Sequence, residues 1–313
     1  MRYYYAPLEG ITDATFRRLH HKYFPGVDRY FMPFISPTIH RCLTAREARE
    51  LPKADSVGFA AVPQLLGKNV EDMLWALEVC KDLGYDEVNI NLGCPSGTVV
   101  SKGKGSGMLA VVYALDEFLS AIYAKAPLPV SLKTRIGVND SENWEKLLEI
   151  YRDYPVKELT VHPRIRKAFY KGDCDLEAFA KAVEGSPFPV CYNGNVYSME
   201  DAAKIAERFP AVKSIMIGRG LVADPGMLCG GTSRETLKAF LTELSDTYCT
   251  VFGSKRNAIY RMKDNWHYLI GLFEGSEKLW KEMRKSTDYD RFMAIANEII
   301  ATLPMRAHPE IIW

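Results

Sequence analysis

Several absences narrow what this 313-residue chain can be. No apolar run approaches the roughly 18 residues of a membrane-spanning helix, so a transmembrane protein is not expected. The opening Met1-Arg2-Tyr3-Tyr4-Tyr5-Ala6-Pro7 has no long apolar core of the kind a secretory leader carries, and reads as a first strand. The seven cysteines are odd in number and include no Cys-x-x-Cys pair, which argues against a disulfide framework, a zinc ribbon or a cysteine-held cluster. A reducing, cytoplasmic setting is the expectation. The six histidines are scattered, without a His-x-x-x-His pair, and no metal site is expected. Charge of one sign is also lacking. A net charge of +1 means that any nucleic-acid surface must be a local patch. Gly103-Lys104-Gly105-Ser106-Gly107 lacks the spacing of a nucleotide-triphosphate loop.

What the chain does contain is a repeat of strand and helix. Short β-branched or aromatic runs fall at Tyr3–Leu8, Asp28–Phe34, Phe59–Gly67, Glu87–Pro95, Val130–Gly137, Glu158–Arg164, Val190–Asn195 and Ser214–Gly220. Helical patterns separate most of them: Val70–Leu83, with Met73, Leu74, Leu77 and Val79 on one side, then Leu109–Ala126, Glu142–Tyr154, Asp175–Val183 and Met199–Phe209. Thr12, Asn69, Ser141 and Ser198 stand where helix N-caps belong. Such alternation predicts a (β/α)8 TIM barrel over residues 1–235. A doubly wound open sheet fits less well, because no glycine fingerprint follows the first strand. Beyond Glu235 the strand pattern stops. Leu237–Phe252, Asn257–Phe273, Ser276–Lys285 and Asp288–Thr302 predict a small helical bundle over 236–313.

In such a barrel all strands end at one rim, where active sites are built. The tips read Pro7 and Glu9, Gln64, Asn89 with Asn91 and Cys94, Lys133 with Arg135, His162 with Arg164, Asn193-Gly194-Asn195, and Gly218-Arg219-Gly220. The run Asn89-Ile90-Asn91-Leu92-Gly93-Cys94-Pro95 is the most telling. A buried strand leads to a thiol, and a movable segment rich in glycine, serine and lysine follows. Glycine-containing turns after the last two strands are where such barrels hold phosphate, and Arg219 adds a planar cation. A lysine on the opposite wall, Lys133, suits the pyrimidine edge of a flavin, where negative charge collects on reduction. The rim therefore suggests flavin mononucleotide (FMN) facing a cysteine. His20-His21 reads as part of a solvated helix face.

These tips, together with Tyr5-Ala6-Pro7-Leu8-Glu9-Gly10-Ile11-Thr12-Asp13, Pro63-Gln64-Leu65-Leu66-Gly67, Lys133-Thr134-Arg135 and His162-Pro163-Arg164, resemble in order those of the tRNA-dihydrouridine synthase family. The resemblance covers the whole barrel and extends to Met262-Lys263-Asp264-Asn265-Trp266-His267-Tyr268 in the tail. It implies bound FMN, NADPH as reductant, and reduction of the C5–C6 bond of a uridine in tRNA. Carried over by position, Cys94 is the acid that protonates C5. Asn91, Lys133 and Arg135 hold the base, with Arg164 in support. Pro7, Gln64, Lys133 and His162 serve the flavin, and Asn193, Gly194, Asn195, Gly218, Arg219 and Gly220 its phosphate end. A thiol of ordinary pKa, about 8.5, stays protonated at neutral pH, as an acid must.

The sequence departs from the family pattern at Pro163, where glycine is usual, at Asn195, where an acid is usual, and at Ser96-Gly97-Thr98, where a lysine is usual. In the tail positive and negative side chains balance, but Lys255, Arg256, Arg261 and Lys263 cluster among Tyr260, Trp266 and Tyr268, a pattern suited to RNA. Lys255, Arg256 and Arg261 are thus expected at the tRNA surface of a monomer. A flavin barrel acting on a free pyrimidine and a non-catalytic RNA-binding barrel are the competing readings.

Overall fold

A computed structural model describes residues 1–311. The chain resolves into two compact units. The first comprises Met1–Pro7, Asp28–Asn195 and Ala202–Met216; the second comprises Leu8–Val27, Val196–Asp201 and the chain from Ile217 onward.

The first unit is built on β1 (Arg2–Tyr5), β2 (Arg29–Phe31), β3 (Ala61–Val62), β4 (Gln64–Leu65), β5 (Val88–Leu92), β6 (Val130–Gly137), β7 (Leu159–Ile165), β8 (Val190–Asn193) and β9 (Ser214–Ile217). The sheet order is β3-β2-β1-β9-β8-β7-β6-β5-β4, with parallel pairing in its recorded ladders. Its two ends, β3 and β4, are halves of one stretch separated only by Pro63, which has no N–H for the ladder. On one side Met32 donates its N–H to the Val62 carbonyl at 2.9 Å; on the other Asn89 donates to the Pro63 carbonyl at 2.8 Å. The sheet therefore closes into the eight-stranded ring that the strand pattern predicted.

β5 shows how sequence sets the mouth. All five residues, Val88-Asn89-Ile90-Asn91-Leu92, are buried, as expected for a parallel strand covered on both faces. The period of two puts both asparagines on one face and the aliphatic residues on the other. Pairing then sets Gln64 beside Asn89, Asn91 beside Lys133, and Arg135 beside His162. Between β6 and β7 the register slips from Arg135↔His162 to Gly137↔Ile165. One extra residue on β7 makes a bulge at Pro163 and Arg164. A bulge is where a strand tolerates proline, and it re-aims the side chains that follow.

The helix Val70–Asp82 is capped by Asn69 as predicted, its side chain accepting from the Asp72 N–H. Its buried stripe is Met73, Ala76, Leu77 and Cys80; Leu74 and Val79 lie at the stripe's edges rather than within it. Ser198 also caps as expected, accepting from the Asp201 N–H. Two other caps differ. Asp13, not Thr12, caps Ala14–Tyr23, because Thr12 is engaged with the Leu8 backbone. Asn143 takes the place expected for Ser141 ahead of Trp144–Arg152.

The second unit is helical. Its elements include Ala14–Tyr23, Arg219–Ala223, Arg234–Val251, Lys255–Leu269, Glu277–Lys285 and Tyr289–Thr302. Phe240 is gripped edge-on by Phe16 and Phe24, with centroids at 5.6 and 5.3 Å. His20 is buried rather than solvated. Its Nε2 donates to the Pro225 carbonyl at 3.1 Å, and burial lowers its pKa to about 3. Among the described residues no helix is long and apolar enough to cross a membrane.

Candidate active site

The polar side chains of the first unit's mouth divide into those bonded to each other and those left over. Gln64, Asn89, Asn91 and Ser131 form a buried chain. Gln64 Nε2 donates to Asn89 Oδ1 at 2.8 Å, Asn91 Nδ2 donates to Gln64 Oε1 at 2.8 Å, and Asn89 Nδ2 donates to Ser131 Oγ at 3.0 Å. Asn91 Oδ1 then accepts the N–H groups of Gly93 and Cys94, at 2.9 and 2.8 Å. Asn91 thus ties the end of β5 to the backbone of the thiol residue.

The segment after Cys94 is folded rather than open. It forms a short helix, Gly97–Val100, and a 3-10 turn, Gly105–Ala110. The Cys94 carbonyl accepts both the N–H and the hydroxyl of Ser106, at 3.2 and 2.8 Å. Gly105, at φ +56°, passes so close that a Cβ there would lie 3.0 Å from Cys94 Cβ. The thiol is partly exposed and forms no disulfide.

Two arginines expected at the substrate are heavily committed to protein atoms. Arg135 Nε donates to the Gly93 carbonyl at 2.9 Å, and Nη1 donates to the Ile165 and Phe169 carbonyls at 3.1 and 2.8 Å. Its guanidinium also lies over Tyr170, 5.5 Å from the ring centre, leaving Nη2 uncommitted. Arg164 Nη1 meets His162 Nε2 at 2.9 Å and Cys174 Sγ at 3.0 Å, and Nη2 donates to the Gly172 carbonyl. A guanidinium only donates, so His162 Nε2 accepts and the ring is the neutral tautomer with its proton on Nδ1. Tyr170 stacks on His162 at 6.1 Å. The sequence reading did not single out Tyr170, Cys174 or Ser106. An aromatic residue among lysines on a rim loop was the available sign for Tyr170.

Lys133 is the contrast. No hydrogen bond or ion pair with the described protein holds its ammonium. Desolvation first, and the nearby Arg135 second, lower its pKa to about 8. The side chain is half-buried, and a partly desolvated ammonium with no carboxylate partner among the described residues is suited to meeting a ligand. It fits the electron-rich edge of a flavin or a pyrimidine carbonyl.

The last two tips make contacts of their own within the protein. Asn193 donates to the Met216 carbonyl at 2.7 Å. Glycine at 194 is required by the protein's own atoms, since a Cβ would lie 2.2 Å from the Tyr192 hydroxyl. Asn195 makes a long contact, 3.5 Å, to the Gly172 carbonyl. In the second unit Gly220 is fixed likewise by the Val196 carbonyl, 2.1 Å from where a Cβ would stand. Gly218 precedes the short helix Arg219–Ala223, and Arg219 lies over Tyr197 at 5.6 Å. Pro7 is half-buried beyond β1.

Of the tail cations, Lys255 pairs with Asp290 at 3.1 Å, Arg261 donates to the Gly10 carbonyl at 2.8 Å, and Lys263 donates to the Ser286 carbonyl at 2.6 Å. Arg256 is exposed. Trp266 is core, whereas Tyr260 is exposed.

A closed (β/α)8 barrel with a thiol and a lysine at the ends of neighbouring strands is the class the fold defines. Two solved structures share the fold. Morphinone reductase matches 72% of this chain and 84% of its own at a TM-score of 0.51 and 12% identity. A variant of NCR from Zymomonas mobilis matches 72% and 83% at 0.50 and 14%. Sequence comparison is more specific. Residues 4–300 match the dihydrouridine synthase (Dus) family, and the chain belongs to it. Among curated relatives, tRNA-dihydrouridine synthase B of Pasteurella multocida is 28% identical over 88% of this chain and 80% of its own length. Probable tRNA-dihydrouridine synthase 1 of a Synechocystis strain is 30% identical over 70% of this chain, a match spanning 61% of that relative.

Proposed function

We propose that the protein is an FMN-dependent tRNA-dihydrouridine synthase that reduces the C5–C6 bond of a uridine with electrons from NADPH. The observation that carries this reading is the Lys133 ammonium, without a hydrogen bond or ion pair among the described residues, beside Asn91 on the strand that leads to Cys94. The relatives' names support the substrate, and membership of the family supports the reaction.

A bound reduced flavin supplies the hydride that reaches C6. The chain's own residues do the rest. Cys94 donates its thiol proton to C5, the carbon that gains a pair as C6 is attacked. Asn91 fixes the Cys94 backbone, and Ser106 holds its carbonyl, so the acid is oriented before substrate arrives. Lys133 meets the negative charge of the ring system, and Arg135 offers Nη2 to a base carbonyl. Arg164 shapes the His162–Cys174 wall. Pro7, Gln64 and His162 line the flavin position. Asn193, Gly194, Asn195, Gly218, Arg219 and Gly220 are the positions proposed for its phosphate end. The division at 235/236 then separates catalysis from RNA binding by Lys255, Arg256 and Arg261.

The test is Cys94→Ala. The variant is expected to keep its yellow colour and its affinity for tRNA, while single-turnover uridine reduction falls by about 100-fold or more. A rate near that of the parent protein would remove Cys94 from the mechanism. Failure of the parent protein to reduce tRNA uridine would remove the function.

A further inference from the structure

A second basic feature lies on the same unit and takes no part in the site above. Thr38, Lys68, Asn69, Asp72 and Lys104 ring a cavity of about 250 Å³ floored by Met73. The two lysines come from different elements: Lys68 follows β4, and Lys104 lies on the segment after Cys94. They converge, because the Lys68 ammonium comes within 3.8 Å of the position of a Cβ on Gly103, the residue next to Lys104. Neither ammonium has an ion pair or hydrogen bond among the described residues. The one carboxylate in the wall, Asp72, is already faced by Arg41 Nε at 3.6 Å. Asn69 spends its side-chain oxygen on the helix it caps. Arg41 is shared with Glu71 at 2.8 Å, so the lining carries two lysines against one carboxylate, with Thr38 also in the wall.

We propose that this cavity is a phosphate-ester subsite that takes a backbone phosphate of the RNA strand beside the target uridine. The proposal rests on the tRNA reading above. Two ammonium groups suit one phosphodiester, whose charge is spread over two oxygens, and they outnumber the single carboxylate of the wall, Asp72. The position has a consequence for the thiol. Lys104 directly precedes Gly105, which packs against Cys94, and Ser106, which holds the Cys94 carbonyl. An anion gripped by Lys104 would clamp the segment that orients the acid, so strand binding and acid placement become one event. The phosphate of the nicotinamide dinucleotide has the same chemistry and is the other possible source.

The experiment uses the flavin-loaded protein with Lys68→Ala and Lys104→Ala together, and Lys146→Ala, an exposed lysine outside the cavity, as control. One arm measures tRNA affinity across a salt series; the other measures flavin reduction by NADPH without tRNA. The expected result is roughly tenfold weaker tRNA binding and a salt slope shallower by about 0.7, the amount for one lost single-strand phosphate contact. Replacement of both lysines by arginine should restore most of the affinity. An unchanged tRNA affinity with a raised KM for NADPH would overturn the RNA source and assign the site to the dinucleotide phosphate. Unchanged behaviour in both arms, in a protein that still reduces tRNA uridine, would overturn the subsite while leaving the function intact. Loss of uridine reduction by the parent protein would instead strike the function on which it rests.

Discussion

The two ends of the barrel treat charge in opposite ways. At the strand starts Glu87 accepts from Arg29 at 2.8 Å and pairs with Lys157 at 3.0 Å. Glu158 accepts from Ser214 at 2.6 Å and from Tyr4 at 3.4 Å, with Arg2 at 3.7 Å. Arg2, Arg29 and Lys157 there each meet a carboxylate. At the strand ends Arg135 and Arg164 are held by carbonyls, a thiol and an imidazole, and the Lys133 ammonium by no hydrogen bond or ion pair among the described residues. Buried charges that answer one another serve the fold, and removing one partner leaves the other stranded. A charge left unanswered is affordable only if something else arrives to meet it. The difference separates scaffold from site within one ring of strands.

Breaking the paired end should do the most damage to stability. Glu87→Ala strands Arg29 and Lys157, and unfolding in urea should show a loss of roughly 3 kcal/mol. That is the low end for a broken buried pair, because both cations keep some contact with water. A loss within experimental error would mean that the paired end is not what holds the ring.

Lys133→Met should act in the reverse sense. The folded lysine has a pKa of about 8, below the ordinary value of 10.5, so folding penalises its charge. Between those values the unfolded chain binds more protons, and stability of the flavin-free protein should rise with pH. Below pH 8 the penalty is fully present, and Lys133→Met should be as stable as the parent or more so, while flavin retention and turnover fall. Unfolding curves at pH 7 and pH 10 test the sign. A parent protein whose Lys133-dependent stability falls over that interval would refute it.

The smallest effect belongs to the helical tail. Arg256→Glu touches no core and should move stability by no more than about 0.5 kcal/mol. Its effect should instead be a several-fold weaker tRNA complex, read by binding titration. Unchanged affinity would place the RNA elsewhere.

Much of this arrangement was legible from residue type alone, because strand period and tip position are local properties. The eight strand stretches, the order of the tips and the four tail helices are examples. Pairing was not legible. Nothing in a linear pattern tells that Gln64 and Asn89 satisfy each other, or that Arg164 is consumed by His162, Cys174 and Gly172. Those bonds depend on which strand lies beside which, and on the one-residue slip at Pro163. The caps at Asp13 and Asn143 were displaced by one or two positions for a similar reason: neighbouring polar residues compete, and tertiary fit chooses between them. Gly220 was read as part of a phosphate-holding turn, and the Val196 carbonyl, 2.1 Å from where its Cβ would stand, is a constraint on the same position that the sequence does not display.

A cylinder of strands has no free edge, yet this one has a weld. At Pro63 the staves are two residues long on either side, and one amide rung cannot form. The lost rung falls a single residue before Gln64, where the chain passes from one neighbour to the next, so the stitch that closes the wall also sets the root of the glutamine–asparagine chain that steadies the thiol.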